Sequence, residues 1–148
     1  MSLEKDVMTQ MKAAMKAKDA AALEALRAVK SAILLAKTEN SQQDLSEEEE
    51  IKILQKLVKQ RKDSAILYRE QNREDLAEPE EKQAEVIAQF LPEQLSEAEI
   101  EAKVEEIISQ TGAEGMKDMG KVMGLASKEL AGKADGKTIS MIVKKKLA

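Results

Sequence analysis

Cysteine, histidine and tryptophan are absent from this 148-residue chain, and its aromatic side chains amount to one tyrosine and one phenylalanine. Without cysteine there is no disulfide and no thiol nucleophile; without histidine as well, the usual zinc sites and every histidine-based triad are excluded. So few aromatics cannot build the stacking platform on which single-strand nucleic-acid binders lay their bases. Proline occurs only at Pro79 and Pro92, so few positions force a break in a helix. No run comes near the roughly 18 apolar residues of a membrane span. The first eighteen residues are too charged for a secretory signal, and cytoplasmic residence without a membrane partner is expected. Glycine is withheld most unevenly. The first 111 residues contain none, and all six fall between Gly112 and Gly136.

What is present favours helix. The chain is rich in Ala, Glu, Lys, Leu, Met and Gln, all good helix formers, and its 43 % of apolar residues can fill one ordinary core or two small ones. The expected fold class is all-α, with two small helical domains: an N-terminal four-helix part (1–92) containing one long helix, and a C-terminal three-helix bundle (93–148). Ser2 is placed to cap a first helix with the stripe Leu3, Val7, Met11 and Ala14. Asp19 is placed to cap a second, running to about Lys37, whose inward residues are Ala22, Leu26, Val29 and Ile33. A polar loop over Thr38–Leu45 leads to Ser46 and Glu49, a capping box that opens a long helix to about Gln71. On its face Leu54, Val58, Ala65 and Tyr68, one cation, Arg61, interrupts an apolar stripe. Arg61 is either a structural arginine paired with an acid such as Glu74 or Glu85, or part of an anion site. Pro79 suits the first turn of a fourth helix carrying Val86, Ile87 and Phe90 and ending at Leu91, before Pro92 at the domain boundary. Ser96 and Glu99 form a second capping box, for a helix with Ile100, Val104, Ile107 and Ile108 that stops at a left-handed Gly112. Asp118 is expected to cap a sixth helix with Met119, Val122, Met123, Ala126 and Leu130, ended by Gly132. Asp135 or Thr138 starts the last, with Ile139, Ile142, Val143 and Leu147 inward. There is no internal repeat and no low-complexity segment.

Charge is as uneven as glycine. From Gly112 to the C-terminus eight lysines face four acids, a net of +4, within a chain whose net charge is −4. Residues 70–106 hold thirteen acids and three bases, so an anionic partner could be met on one side only. At about 100° per residue, Lys117, Lys121, Gly124 and Lys128 fall on one strip, with Gly120 at its border. Two helical glycines four apart cost roughly 2 kcal/mol relative to alanine, which calls for a compensating close approach. Either another helix packs onto them, or a sugar-phosphate backbone lies against the bare surface with lysines alongside. Between the last two helices, Gly132-Lys133-Ala134-Asp135-Gly136-Lys137 forms a glycine-bracketed turn that can aim N–H groups at an anion. It is no phosphate-binding P-loop: three residues separate its glycines where that motif has four, and a helix precedes it where that motif has a strand. Lys144 and Lys145 extend the basic surface alongside Lys137. No catalytic residue, metal or cofactor is expected. RNA contact of this style would be weak, salt-sensitive and directed to the backbone of a structured RNA.

Three segments carry a resemblance: Leu91-Pro92-Glu93-Gln94-Leu95-Ser96, Asp118-Met119-Gly120-Lys121-Val122-Met123, and Gly132-Lys133-Ala134-Asp135-Gly136-Lys137 with the terminal Val143-Lys144-Lys145-Lys146-Leu147. Together they resemble the YqeY-type proteins of the GatB/YqeY family over the whole length of the chain. Such proteins resemble the tail of the B subunit of glutamine-dependent tRNA amidotransferase, and more distantly a front domain of some glutaminyl-tRNA synthetases. The resemblance implies a two-part helical fold and association with tRNA or a tRNA-handling enzyme, with Gly120, Lys121, Gly132, Lys133 and Gly136 on the tRNA-facing surface. It also implies a label, carbon-nitrogen ligase with glutamine as amido-N-donor. In the amidotransferase, glutamine hydrolysis and ATP-dependent activation belong to bodies absent from these 148 residues, so such activity would require a partner. Three functions therefore stand: a tRNA-associated helical adaptor, an accessory of amide transfer, and a protein-interaction module without an RNA role.

Overall fold

The structure, a computed structural model, describes residues 3–41 and 43–148. Among these it contains seven α-helices, one 3-10 turn and no strand, as the all-α expectation requires. The helices are α1 (Leu3–Ala17), α2 (Ala20–Glu39), α3 (Glu47–Glu70), α4 (Glu74–Ala88), α5 (Glu97–Thr111), α6 (Met119–Glu129) and α7 (Gly136–Leu147). The 3-10 turn, Met116–Asp118, precedes α6. Contacts divide the chain into two compact units, residues 1–91 and 92–148, each with its own apolar core.

In the N-terminal unit the local signals act where the sequence puts them. Asp19 accepts the Ala22 N–H at 3.1 Å and starts α2, which buries Ala25, Leu26, Val29 and Ile33 at helical spacing. Thr38 stays in that helix, donating its hydroxyl to the Leu34 carbonyl at 2.9 Å, and α2 ends at Glu39. Ser46 and Glu49 close a reciprocal capping box of 3.2 and 2.9 Å, and Glu47–Glu50 lie at the positive end of the α3 dipole. The 24 residues of α3 give a rod of about 36 Å, and Leu54 and Val58 share a core with α1, α2 and α4. Ser2, the expected cap of α1, lies outside the described residues.

Three expectations for this unit are corrected. Pro79 does not open α4; the helix starts at Glu74, and the proline stands inside it. The chain reverses tightly after α3, with Asn72 at φ 59° and the Arg73 N–H on the Tyr68 carbonyl at 2.8 Å. The Arg69 guanidinium then bridges Glu74 and Glu81, Arg73 forks onto Asp75, and Ala77 is buried. These contacts hold the first turns helical, while Pro79, on the exposed face, removes one hydrogen bond where water can replace it. The helix ends at Ala88, short of Leu91, where the Phe90 and Leu91 N–H groups reach only three residues back, to the Ile87 and Ala88 carbonyls, at 3.1 and 3.0 Å. Arg61 meets neither Glu74 nor Glu85. Its Nε donates to Gln83 Oε1 at 3.1 Å and one terminal nitrogen to the Leu57 carbonyl at 3.2 Å, so a buried neutral amide satisfies it while Glu74 is taken by Arg69.

In the C-terminal unit Ser96 and Glu99 form the second capping box, and Gly112 ends α5 in the left-handed region at φ 68°, its N–H on the Ile108 carbonyl. Ile100, Val104 and Ile107 of α5 pack with Val122, Ala126 and Leu130 and with Ile139, Ile142, Val143 and Leu147 of α7 in one buried cluster. Burying each such aliphatic side chain contributes about 1.5–3 kcal/mol, enough for a small core. Asp118 stands at the N-cap position of α6, as expected, but its side chain makes no capping hydrogen bond. At φ −96° and ψ 5° it sits in the bridge region, and its carboxylate reaches back to accept the Glu114 N–H at 3.0 Å. Of the two candidates for the last cap it is Asp135 that acts, accepting the Thr138 N–H and hydroxyl, each at 2.8 Å.

Candidate nucleic-acid interface

Helix α6 has two opposed faces set by its period. Val122 and Ala126 are buried, and on the opposite side Gly120, Lys121, Gly124 and Lys128 are exposed. A Cβ added to Gly120 or Gly124 would meet nothing within 4 Å, so among the described residues nothing in the C-terminal unit packs onto the two glycines. Lys121 and Lys128 stand about 10 Å apart along the axis, with the glycines between and beside them. Lys117 belongs to the 3-10 turn, so it extends the strip from outside the helix and not in helical register with it. None of Lys117, Lys121 and Lys128 makes an ion pair or side-chain hydrogen bond to another described residue. The arrangement is a bare, one-signed helix face.

The turn after α6 is arranged differently from an anion cradle. Its carbonyls are taken: Gln94 Nε2 donates to the Gly132 oxygen at 2.7 Å, and the Leu95 N–H to the Lys133 oxygen at 2.9 Å. The N–H groups of Lys133 and Ala134 turn back to the Leu130 carbonyl, at 2.9 and 3.3 Å. At the start of α7, where a bound anion would meet the helix dipole, the Asp135 carboxylate already sits. Gly132 is buried at φ 79°, the left-handed conformation that a glycine adopts without strain. Gly136 is the first residue of α7, and a Cβ there would also meet open space. What the turn offers outward is the exposed side chains of Lys133 and Lys137, neither engaged with another described residue.

The basic C-terminus splits. Lys144 is exposed and unengaged, whereas Lys145 lies 3.5 Å from Glu101 and Lys146 2.6 Å from Glu105, both on α5. Glu101 and Glu105 are four residues apart and share one helix face, which draws the two lysines to α5. Lys145, expected on the outward surface with Lys137, is thus an ion-pair partner, though most of its side chain stays in solvent. The Lys146 ammonium is held above its ordinary pKa, first by its hydrogen bond to Glu105. Sequence reasoning missed Gln94 and Leu95 as supports of the turn. The available signal was an amide side chain set between Pro92 and the Ser96 cap, inside a segment that carries the family resemblance.

No described cluster of three or more carboxylates could hold a metal ion, and no helix among the described residues is long and apolar enough to cross a membrane. The fold and this surface define a small two-unit helical protein with an unpaired basic face. Residues 4–147 match the family described as "Yqey-like protein", and the chain belongs to that family. It is 38 % identical over 73 residues to the E subunit of glutamyl-tRNA(Gln) amidotransferase from Thermococcus gammatolerans, a match covering 47 % of this chain and 12 % of that protein. Altered inheritance of mitochondria protein 41, mitochondrial, is 36 % identical in both Lachancea thermotolerans, over 111 residues, and Meyerozyma guilliermondii, over 118. Those matches take in 74 and 78 % of this chain, which spans 57 and 61 % of the two fungal proteins.

Proposed function

We propose that this chain is a helical adaptor of tRNA-handling machinery, docking on the sugar-phosphate backbone of a structured RNA through the basic side of its C-terminal unit. The observation that carries the reading is the open space above Gly120 and Gly124, flanked by lysines without partners. Glycine in a helix interior, as at Gly124, lowers stability, and among the described residues no packing within the C-terminal unit compensates it. A phosphate backbone can approach such a face more closely than one clothed in side chains, and Lys117, Lys121 and Lys128 would neutralise it. With one tyrosine and one phenylalanine, recognition would rest on shape and charge, not on stacked bases. Kinship with part of a glutamyl-tRNA(Gln) amidotransferase supports tRNA as the RNA. The same kinship supports a second role, as accessory to a carbon-nitrogen ligase whose catalytic groups lie on a partner. Transamidation assays with and without this chain distinguish that role.

The test is a titration of fluorescent tRNA(Gln) transcript. Affinity should fall by about a thousandfold or more between 50 and 200 mM salt if some six phosphates are contacted, and by less for fewer. Lys121→Glu with Lys133→Glu should remove binding at low salt. Binding that is absent at low salt, or that survives the double substitution, rejects the reading.

A further inference from the structure

Gln94 stands where the chain enters the C-terminal unit, yet its amide is spent on the far end of that unit. Its Nε2 donates to the Pro92 carbonyl at 2.8 Å and to the Gly132 carbonyl at 2.7 Å, across 38 residues of sequence. Beside it the Leu95 N–H takes the Lys133 carbonyl at 2.9 Å, while the Leu95 side chain packs on the core. The Lys133 N–H is fixed in turn on the Leu130 carbonyl at 2.9 Å. The peptide groups on both sides of Lys133 are therefore tied down, and with them the direction in which its exposed side chain leaves the turn.

We infer that Gln94 is a positioning residue, a latch that aims Lys133 at the RNA backbone. This rests on the RNA reading above. The chemistry asks for an amide: one nitrogen carries two N–H groups and satisfies two carbonyl oxygens at once. A carboxylate of the same shape has no N–H and would set its charge against both acceptors.

The experiment is a double-mutant cycle read in affinity for the tRNA(Gln) transcript across salt, using the full chain. Gln94→Glu breaks the latch, and Gln94→Met, of similar length and without charge, serves if the first variant fails to fold. Thermal melts report folding of each. Gln94→Met should weaken binding about three- to tenfold and lower the salt slope by about one, as Lys133→Gln does, because one phosphate contact is lost. In the Lys133→Gln background it should change affinity by less than about twofold, since the residue it aims is gone. A latch that only supports the fold would lower the melting temperature and leave the salt slope untouched. Folded Gln94 variants with an unchanged slope, or effects that simply add, overturn the inference while wild-type binding stands. A wild type that does not bind the transcript overturns the RNA reading and this inference with it.

Discussion

Lys52 and Lys121 are both exposed lysines on solvent-facing sides of helices, but their surroundings differ in kind. Lys52 lies 3.5 Å from Glu48, one turn away, and in the N-terminal unit Lys37, Lys59, Arg69, Arg73 and Lys82 likewise face acids. Lys12, Lys16, Lys18, Arg27, Lys30, Lys56 and Lys62 do not among the described residues, so what sets Lys121 apart is its place beside bare helical glycines. Along residues 117–137 five lysines stand without an acid partner among the described residues. Paired surface charges are worth little and are screened by salt, so the first arrangement is a solubilising and mildly stabilising surface. The second leaves like charges unneutralised beside a helix weakened by two glycines. Neither feature serves the stability of this chain, and the proposed docking of an external polyanion would account for both at once.

Four experiments can break or sharpen that contrast. The largest effects lie in the cores: Ile87→Ala and Ile107→Ala, at 0 and 1 % exposure, should each cost about 2–5 kcal/mol by chemical denaturation. Only the second, in the C-terminal unit, should diminish tRNA binding. Next is charge reversal. Lys121→Glu with Lys133→Glu should cut affinity at least about 100-fold at low salt, whereas Lys52→Glu with Lys56→Glu, the same change in net charge, should leave it within about twofold. Comparable losses from both pairs would mean that net charge, and not a face, governs binding.

Gly120→Ala and Gly124→Ala separate stability from function by sign. Gly124→Ala should raise stability by about 1 kcal/mol and Gly120→Ala, in the first turn of α6, by less, because the added methyl meets nothing and alanine is the better helix former. Each should also weaken RNA binding several-fold; a gain in stability with unchanged binding would leave the glycines unexplained. The smallest effect is that of pH on the N-terminal unit. Hydrogen bonds from Arg69 and Arg73 hold the Glu81 and Asp75 carboxyls below their ordinary range. Groups with lowered folded values contribute stability above the unfolded value, and that contribution is lost as pH falls through the folded one, here below about pH 4. Glu50 acts in the opposite direction. Burial first, then the charges of Glu4 and Glu47, raises it, so its contribution is full below its unfolded value and is lost as pH rises through the folded one. Arg69→Gln should flatten the acid limb of a stability-against-pH curve, and Glu50→Gln the limb above about pH 4.5.

How far the sequence could be read follows the distance over which each interaction acts. The caps at Asp19, Ser46, Ser96 and Gly112 close hydrogen bonds within four residues, so residue type and spacing determine them. The buried stripe of α6 and its glycine-lysine face follow from a period of about 3.6 residues. Pro79 misled because the Arg69 bridge, from outside α4, decides where that helix begins; Asp118 stands at the cap position as expected, but its carboxylate is drawn away to the loop at Glu114. Arg61 is satisfied by Gln83 on a different helix, and Lys145 is drawn to Glu101 across the bundle. The Gln94 latch joins positions 38 residues apart, so the local signal, an amide between Pro92 and the Ser96 cap, could mark Gln94 but not its partner.

The central claim concerns where on this chain an RNA lies, and a footprint measures that most directly. Unlabelled tRNA(Gln) transcript is added to isotopically labelled protein, and the shift or loss of each backbone amide signal is followed. The account predicts that perturbations concentrate on Lys117, Gly120, Lys121, Gly124, Lys128 and Lys133, while the amides of α3 around Lys52 and Lys56 remain unchanged. Perturbations centred on α3, or spread evenly over both units, would contradict it.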